Sequence, residues 1–259
     1  MRRSPPAPTP PRFAAERQQR IAEALREHGR VEVSQLAAEY GVSEDSVRRD
    51  LRQLAARGLV QKTHGGAVAL HATLLPTAQR AGVLTGAKRA IARRAARLVE
   101  ANQTLVVDGG TTTLALVNEL KASDAPRPLT IVTHALDVAL AVADEPRIRL
   151  VLAGGAWLPA PRIFVGEAAL ATLRAHRADI AFLGACALQP RAGLTAHDPQ
   201  EAALKRAMID GAALRVLLTD ATKLDVVAPC AVARLDELDR VISDGAPPWL
   251  AAATAVETV

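Results

Sequence analysis

The stretch TLVVDGGTTTLALVNEL, residues 104–120, decides how the larger part of the chain is read. An apolar, β-branched run ends at Asp108. A glycine pair follows, then three threonines, then an apolar pattern at helical spacing. That order is strand, tight turn, helix. Gly109 and Gly110 allow the backbone to approach a partner closely. The helix start presents N–H groups without intrahelical partners, together with positive potential. Thr111, Thr112 and Thr113 add hydroxyls. Such a turn can cradle a phosphate or carboxylate, and it can equally be an ordinary strand-to-helix connection. It is neither a Walker A loop nor a G-x-G-x-x-G turn, because neither spacing is present.

Outward from this stretch the pattern repeats. Apolar runs stand at 129–133, 149–155, 179–185, 215–220 and 240–244. Helical stretches stand between several of them, at 88–100, 113–121, 135–143, 165–176 and 199–213. Strands alternating with helices predict βαβ units and a mainly parallel sheet. Loops at the carboxyl ends of parallel strands face one crevice. Those loops carry Thr133-His134, Gly154-Gly155, Gly184-Ala185 and Asp220 to Lys223. Glu201 and Lys205 lie four apart on one helix face, the spacing of a simple ion pair. Lys223, just past a strand end, is harder to account for as plain surface.

Upstream of residue 71 the grammar is different. A helical pattern starts near Ala14, with Ile21, Ala24, Leu25 and His28 on one stripe, and Gly29 ends it. Ser34 is the expected N-cap of a short helix that stops at Gly41. Ser43 caps a third helix, whose stripe is Val47, Leu51 and Leu54 and which ends at Gly58. Two β-prone runs around Gly65-Gly66 form a hairpin. Short helix, glycine turn, longer helix and hairpin is the order of a winged helix-turn-helix. The major groove admits one helix, braced by the helix before it. The outer face of the third helix carries Ser46, Arg48, Arg49, Arg52 and Gln53, with Ser43 and Ser46 at its N-terminal end. Lys62, Thr63 and His64 ride on the hairpin. Arginines there can reach guanine or phosphate. They can also pair with Glu44, Asp45 or Asp50 as a solvated surface.

Composition sets the limits. The chain has 259 residues, of which 49% are hydrophobic and 23% charged, so a mostly disordered chain is excluded. No apolar run approaches the ~20 residues of a membrane span. Residues 1–70 hold 12 basic and 8 acidic side chains, 12 − 8 = +4, and residues 71–259 hold 20 and 19, 20 − 19 = +1. The positive excess therefore sits in the first quarter, as a polyanion-binding head on a near-neutral body. Two cysteines, Cys186 and Cys230, cannot build a disulfide framework. MRRSPPAPTPPR has charge but no apolar segment, so no secretory signal is expected and the cytoplasm is the expected compartment. Few aromatics argue against stacking platforms for single-stranded nucleic acid. The histidines and cysteines lack metal-ligand spacing, so no metal or other cofactor is expected.

The words in these two parts resemble the DeoR family of bacterial transcriptional regulators. In the head they are Arg17, Ile21 and Leu25, then VSQLAAEYGVSEDSVRRDLRQLAARGLV at 33–60, then a basic residue and THGGA at 62–67. Ser46 stands where the family commonly has Thr, and the hydroxyl is kept. Asp50 in that motif reads as a brace for an arginine. In the body the words are DGGTTT, VTH, the glycines at 154–155 and 166, DIAFLGA, GLT, EAALKRAM and LLTDATK, in that order. The resemblance covers about residues 15–245. It implies a sensor domain similar to the sheet fold of sugar-phosphate isomerases and CoA transferases, taking a phosphorylated sugar as effector. It assigns Asp108, Gly110, Thr111, Thr112, Glu201, Lys205 and Lys223 to the ligand pocket. Two departures stand beside that pocket. His134 replaces a common Asn, and Cys186-Ala187 replaces a glycine-containing sequence.

The expected architecture is therefore α/β. A Pro-rich disordered tail (1–14) precedes a winged helix-turn-helix (15–70), a linker (71–84), a Rossmann-like sensor domain (85–247) and a frayed end (248–259). The expected function is regulation of transcription, as a repressor of a carbohydrate operon that binds double-stranded operator DNA. It is released by a phosphosugar and works as a homodimer or homotetramer away from membranes. The competing reading is a sugar-phosphate isomerase with an appended DNA-binding module. An isomerase needs a base facing a carbon-bound proton, for which Asp108 or Glu201 would have to serve. That reading leaves the head unexplained, so no enzymatic activity is expected.

Overall fold

The computed structural model describes residues 13–28, 30–56, 60–63, 65–69, 77, 82, 84–122 and 128–259. The Pro-rich stretch to residue 12, the stops at Gly29 and Gly58, His64 and most of the linker lie outside the described residues. The described residues form two compact units: the first holds the residues up to Ala69 with Gly82 and Leu84, and the second holds Thr77 and the residues from Thr85 to Val259.

The first unit opens with α1 (Ala14–His28), β1 (Arg30–Glu32), α2 (Val33–Tyr40) and α3 (Glu44–Ala56). It closes with the hairpin β2 (Val60–Thr63) and β3 (Gly66–Ala69). β3 lies between β1 and β2, antiparallel to both. The three helices and the sheet share one core, with Ile21, Leu25, Val47, Leu51 and Leu54 buried as the helical spacing requires. Gly41 is left-handed (φ 64°) and its N–H returns to the Ala37 carbonyl, which closes α2. Ser43 caps α3 as expected, its Oγ accepting the Ser46 N–H at 3.3 Å. Ser34 does not cap α2. The helix already begins at Val33, whose N–H is taken by the Gly65 carbonyl at 2.8 Å, so strand pairing runs straight into the helix.

The second unit is built on a seven-stranded sheet. Its first half contains α4 (Thr85–Ala96), β4 (Thr104–Val107), α5 (Thr111–Ala122), β5 (Leu129–Thr133), α6 (Leu136–Val142) and β6 (Ile148–Leu152). Next come the hairpin β7 (Ala156–Leu158) and β8 (Ile163–Val165), α7 (Glu167–Arg174) and β9 (Ala178–Gly184). A second hairpin, β10 (Ala187–Gln189) and β11 (Gly193–Ala196), leads into α8 (Pro199–Gly211) and β12 (Ala212–Thr219). The chain then adds β13 (Cys230–Ala233), β14 (Arg240–Ser243), α9 (Pro248–Ala253) and β15 (Ala255–Thr258). The sheet order is β15-β14-β12-β9-β4-β5-β6, and every pairing in it is parallel. Helices cover it, so its strands read as continuous apolar runs.

The six strands expected from apolar runs all form. The two hairpins of the body and β13 were not expected, because no continuous apolar run like those of the sheet strands marks them. The last dozen residues are not frayed: β15 pairs with β14, and Glu257 bonds Arg240 at 2.8 Å and pairs with Arg94 at 2.5 Å. Among the described residues, no helix is long and apolar enough to cross a membrane.

Candidate functional site

From β4 the chain steps outward to β5 and β6, then returns to the other side of β4 with β9. The order in which strands are added therefore reverses between β4 and β9, and the carboxyl ends of strands beside such a reversal are where parallel sheets take ligands. Asp108 follows β4 and Gly184 ends β9. The Asp108 carboxylate joins them, Oδ2 accepting the Gly184 N–H at 2.9 Å while Oδ1 accepts the Gly109 N–H at 2.7 Å.

Lys205 reaches the same carboxylate from α8. Asp198 fixes where that helix starts, its Oδ1 accepting the N–H groups of Gln200 and Glu201 at 2.8 and 3.1 Å, with Pro199 in the first turn. Glu201 then lies on the first turn and Lys205 one turn on. The Lys205 ammonium donates to Asp108 Oδ2 and to the Gly184 carbonyl (2.9 Å), and stands 3.4 Å from Glu201. Lys205 and Asp108 are each 1% exposed. Burial alone would lower the Lys205 pKa, but the Asp108 and Glu201 carboxylates outweigh it and hold the ammonium above its ordinary range. Cys186 donates its thiol to Glu201 at 3.1 Å. Burial, reinforced by that carboxylate against the pull of Lys205, pushes the thiol up to about 12.

His134 follows β5 and is fully buried, with Nε2 at 3.6 Å from Asp108 Oδ1 and no hydrogen-bond partner on either ring nitrogen. Burial lowers its pKa; the Asp108 charge opposes this and the Lys205 charge adds to it. The balance favours the neutral imidazole. On the other flank, α5 starts at Thr111, with Thr112 buried behind it and the Thr113 hydroxyl spent on the Gly110 carbonyl at 2.9 Å. Lys223 closes a 3-10 turn after β12, the neighbour of β9.

Of the residues expected in the pocket, Asp108, Glu201 and Lys205 are in one bonded cluster. Gly110, Thr111 and Thr112 adjoin it at the start of α5, and Lys223 lies one strand away on the same edge. The i,i+4 pair of Glu201 and Lys205 forms, yet the closer partner of Lys205 is Asp108. Ile163 was not foreseen. Its Cγ2 lies where a Cβ on Gly109 would have to be, 2.6 Å away. Nothing in the local sequence around β8 signals that contact.

The head presents the outer face of α3. Arg48 pairs with Glu44 at 2.5 Å and with Asp45 at 3.0 Å, the solvated-surface arrangement. Arg52 donates to the Arg48 carbonyl at 3.3 Å. Arg49 is exposed and has no carboxylate partner among the described residues. Ser43 and Ser46 bond each other at 3.0 Å. Asp50 is a brace, 2% exposed, holding Arg17 at 2.5 Å and Gln18 at 3.0 Å across to α1. Lys62 and Thr63 are in β2.

A family model for the DeoR C terminal sensor domain matches residues 84–245, and one for the DeoR-like helix-turn-helix domain matches residues 17–73. The chain is 34% identical to the HTH-type transcriptional regulator GlpR of Haloferax volcanii, over 89% of this chain and 90% of that protein. It is 31% identical to the glycerol-3-phosphate regulon repressor of Escherichia coli strain K12, over 88% and 90%. A ribose 5-phosphate isomerase from Methanocaldococcus jannaschii aligns over 53% of each chain at 18% identity and a TM-score of 0.38, a likeness too slight to bear on chemistry. With both domains matched in order, and with relatives aligned over nearly their whole length, this chain belongs to the DeoR family of transcriptional regulators.

Proposed function

We propose that the chain is a cytoplasmic repressor of a carbohydrate operon that binds operator DNA through its head and a phosphorylated sugar through its body. The observation that carries this reading is the start of α5 at the point where the sheet reverses, in a body joined to a helix-turn-helix head. A phosphate docked on the first-turn N–H groups of Thr111 and Thr112 would gain from their partial positive charge. Gly110 leaves the approach open, and Lys223 supplies positive charge on the same edge. Asp108 would hold the turn that receives the ligand, Glu201 would accept a sugar hydroxyl, and Lys205 would hold both carboxylates in place. On the head, Arg49, Arg48 and Arg52 would meet bases and phosphates, aided by Ser43, Ser46, Lys62, Thr63 and His64. Paired heads would read repeated half-sites, which calls for a homodimer or homotetramer.

The isomerase reading is less well supported. Asp108 already accepts from Gly109, Gly184 and Lys205, which takes three of the roughly four lone-pair sites of a carboxylate. Little is left to take a proton from carbon. The test is to map the full chain on genomic DNA, then titrate the recovered complex with glycerol 3-phosphate, ribose 5-phosphate and fructose 6-phosphate. Release by one of them is expected. Turnover of any of these sugars, or indifference of the complex to all phosphosugars, would overturn the reading.

A further inference from the structure

The β7–β8 hairpin touches two places that regulation must connect. Its return strand lies over the crevice. Ile163 packs on Gly109, the Phe164 N–H donates to the His134 carbonyl at 2.8 Å, and the Leu136 N–H donates to the Arg162 carbonyl at 3.1 Å. Arg162 also grips Asp137 at the start of α6, its Nε 2.8 and 2.9 Å from the two carboxylate oxygens. The hairpin tip is held by Thr77, which clusters with the body. The Thr77 N–H donates to the Ala160 carbonyl at 3.0 Å, and its hydroxyl lies 3.3 Å from that oxygen and 3.1 Å from the Pro161 carbonyl. Thr77 is buried, and it stands in the segment that runs from the last strand of the head to the first helix of the body.

The hairpin base is bounded by two glycines. Its last pair is Ala156 with Val165, flanked by Gly155 and Gly166, both at positive φ (153° and 95°). A Cβ on Gly155 would lie 2.3 Å from the Val165 carbonyl oxygen, so only glycine fits there. Positions of this kind absorb backbone rotation in hinged elements.

We propose that the 156–165 hairpin couples the crevice to the head. A ligand on the Gly109–Gly110 turn displaces Ile163, the hairpin rocks about Gly155 and Gly166, and Thr77 passes the movement into the connecting segment. The ligand favours the displaced arrangement because in the other Ile163 presses on Gly109, next to the N–H groups that would take the phosphate, and this is the unequal binding that coupling requires. This rests on the phosphosugar-responsive reading above.

The test separates binding from response. Phosphosugar affinity of the full chain is measured by calorimetry, with glycerol 3-phosphate, ribose 5-phosphate and fructose 6-phosphate as probes. DNA affinity is measured by fluorescence anisotropy with and without saturating sugar, for the wild type, Thr77→Val and Thr77→Ser. Thr77→Val is expected to bind sugar within about twofold of the wild type while the sugar-induced change in DNA affinity shrinks by roughly fivefold or more. Thr77→Ser keeps the hydroxyl and is expected to keep the full response. A Thr77→Val protein with undiminished response, one that loses sugar binding together with response, or equal failure of both variants would overturn the proposal. A wild type that binds none of the probes would instead remove the reading on which it rests.

Discussion

Lys205 and Asp108 are both almost fully enclosed, so each depends on the other. Removing one partner of a buried pair leaves an uncompensated charge, at a cost of about 3–5 kcal/mol. Lys205→Met is therefore expected to lower the unfolding free energy of the body, read from urea titration, by an amount in that range, and Asp108→Asn added to it is expected to recover much of the loss. A loss under about 1 kcal/mol would place the pair among surface ion pairs. This differs from reading Lys205 as a cation held ready for phosphate. The i,i+4 spacing of Glu201 and Lys205 was legible in the chain. The bond to Asp108 was not, because the two residues are 97 positions apart and no local pattern carries such a contact. His134 makes a second prediction at this scale. Its folded pKa is lowered by burial, so the unfolded chain binds the proton that the folded one refuses. Its contribution is complete above the unfolded value, about 6.5, and is lost as pH falls through the folded value. The urea midpoint should fall between about pH 7.5 and about pH 5.5, and His134→Asn should flatten that fall. Equal slopes in the two proteins would remove His134 from the account.

The third helix shows how one element serves two needs. Its inner stripe builds the head core, and Asp50 ties it to α1 through Arg17 and Gln18. Its outer face spends Arg48 on Glu44 and Asp45, both exposed, while Arg49 has no such partner among the described residues. Exposed pairs of this spacing are worth only about 0.3–0.5 kcal/mol and break readily when a phosphate approaches. Arg49→Ala should therefore cost about 1–3 kcal/mol in specific DNA binding, with Arg48→Ala costing less, as read by anisotropy on one operator fragment. Unchanged affinity in both variants would move the recognition surface off α3. Elements of this length were legible because their stripes and caps lie within one window. The β7–β8 hairpin was not. Its strands have three residues each, and the glycines at 154–155 and 166 stood out only as motif words until the structure placed them at the base of one hairpin. The chain end misled for the opposite reason. Its alanine run reads as loose, yet Val256 and the Glu257 ion pairs fasten β15 to the sheet edge.

At the scale of the molecule, two units of different charge must act as one device. The parallel sheet follows from continuous apolar runs separated by helices, which is why six of its seven strands were readable in advance. Which strands become neighbours is a long-range outcome, and the reversal between β4 and β9 that creates the crevice appears only in the sheet order. The account's central claim is that occupancy of this crevice and grip on DNA are linked, and linkage is reciprocal. The most direct measurement is calorimetric titration of one phosphosugar into the free full-length protein and into the same protein saturated with its operator fragment. The predicted result is weaker sugar binding in the presence of DNA, by the same factor by which the sugar weakens DNA binding. Identical sugar affinities with and without operator would contradict the account.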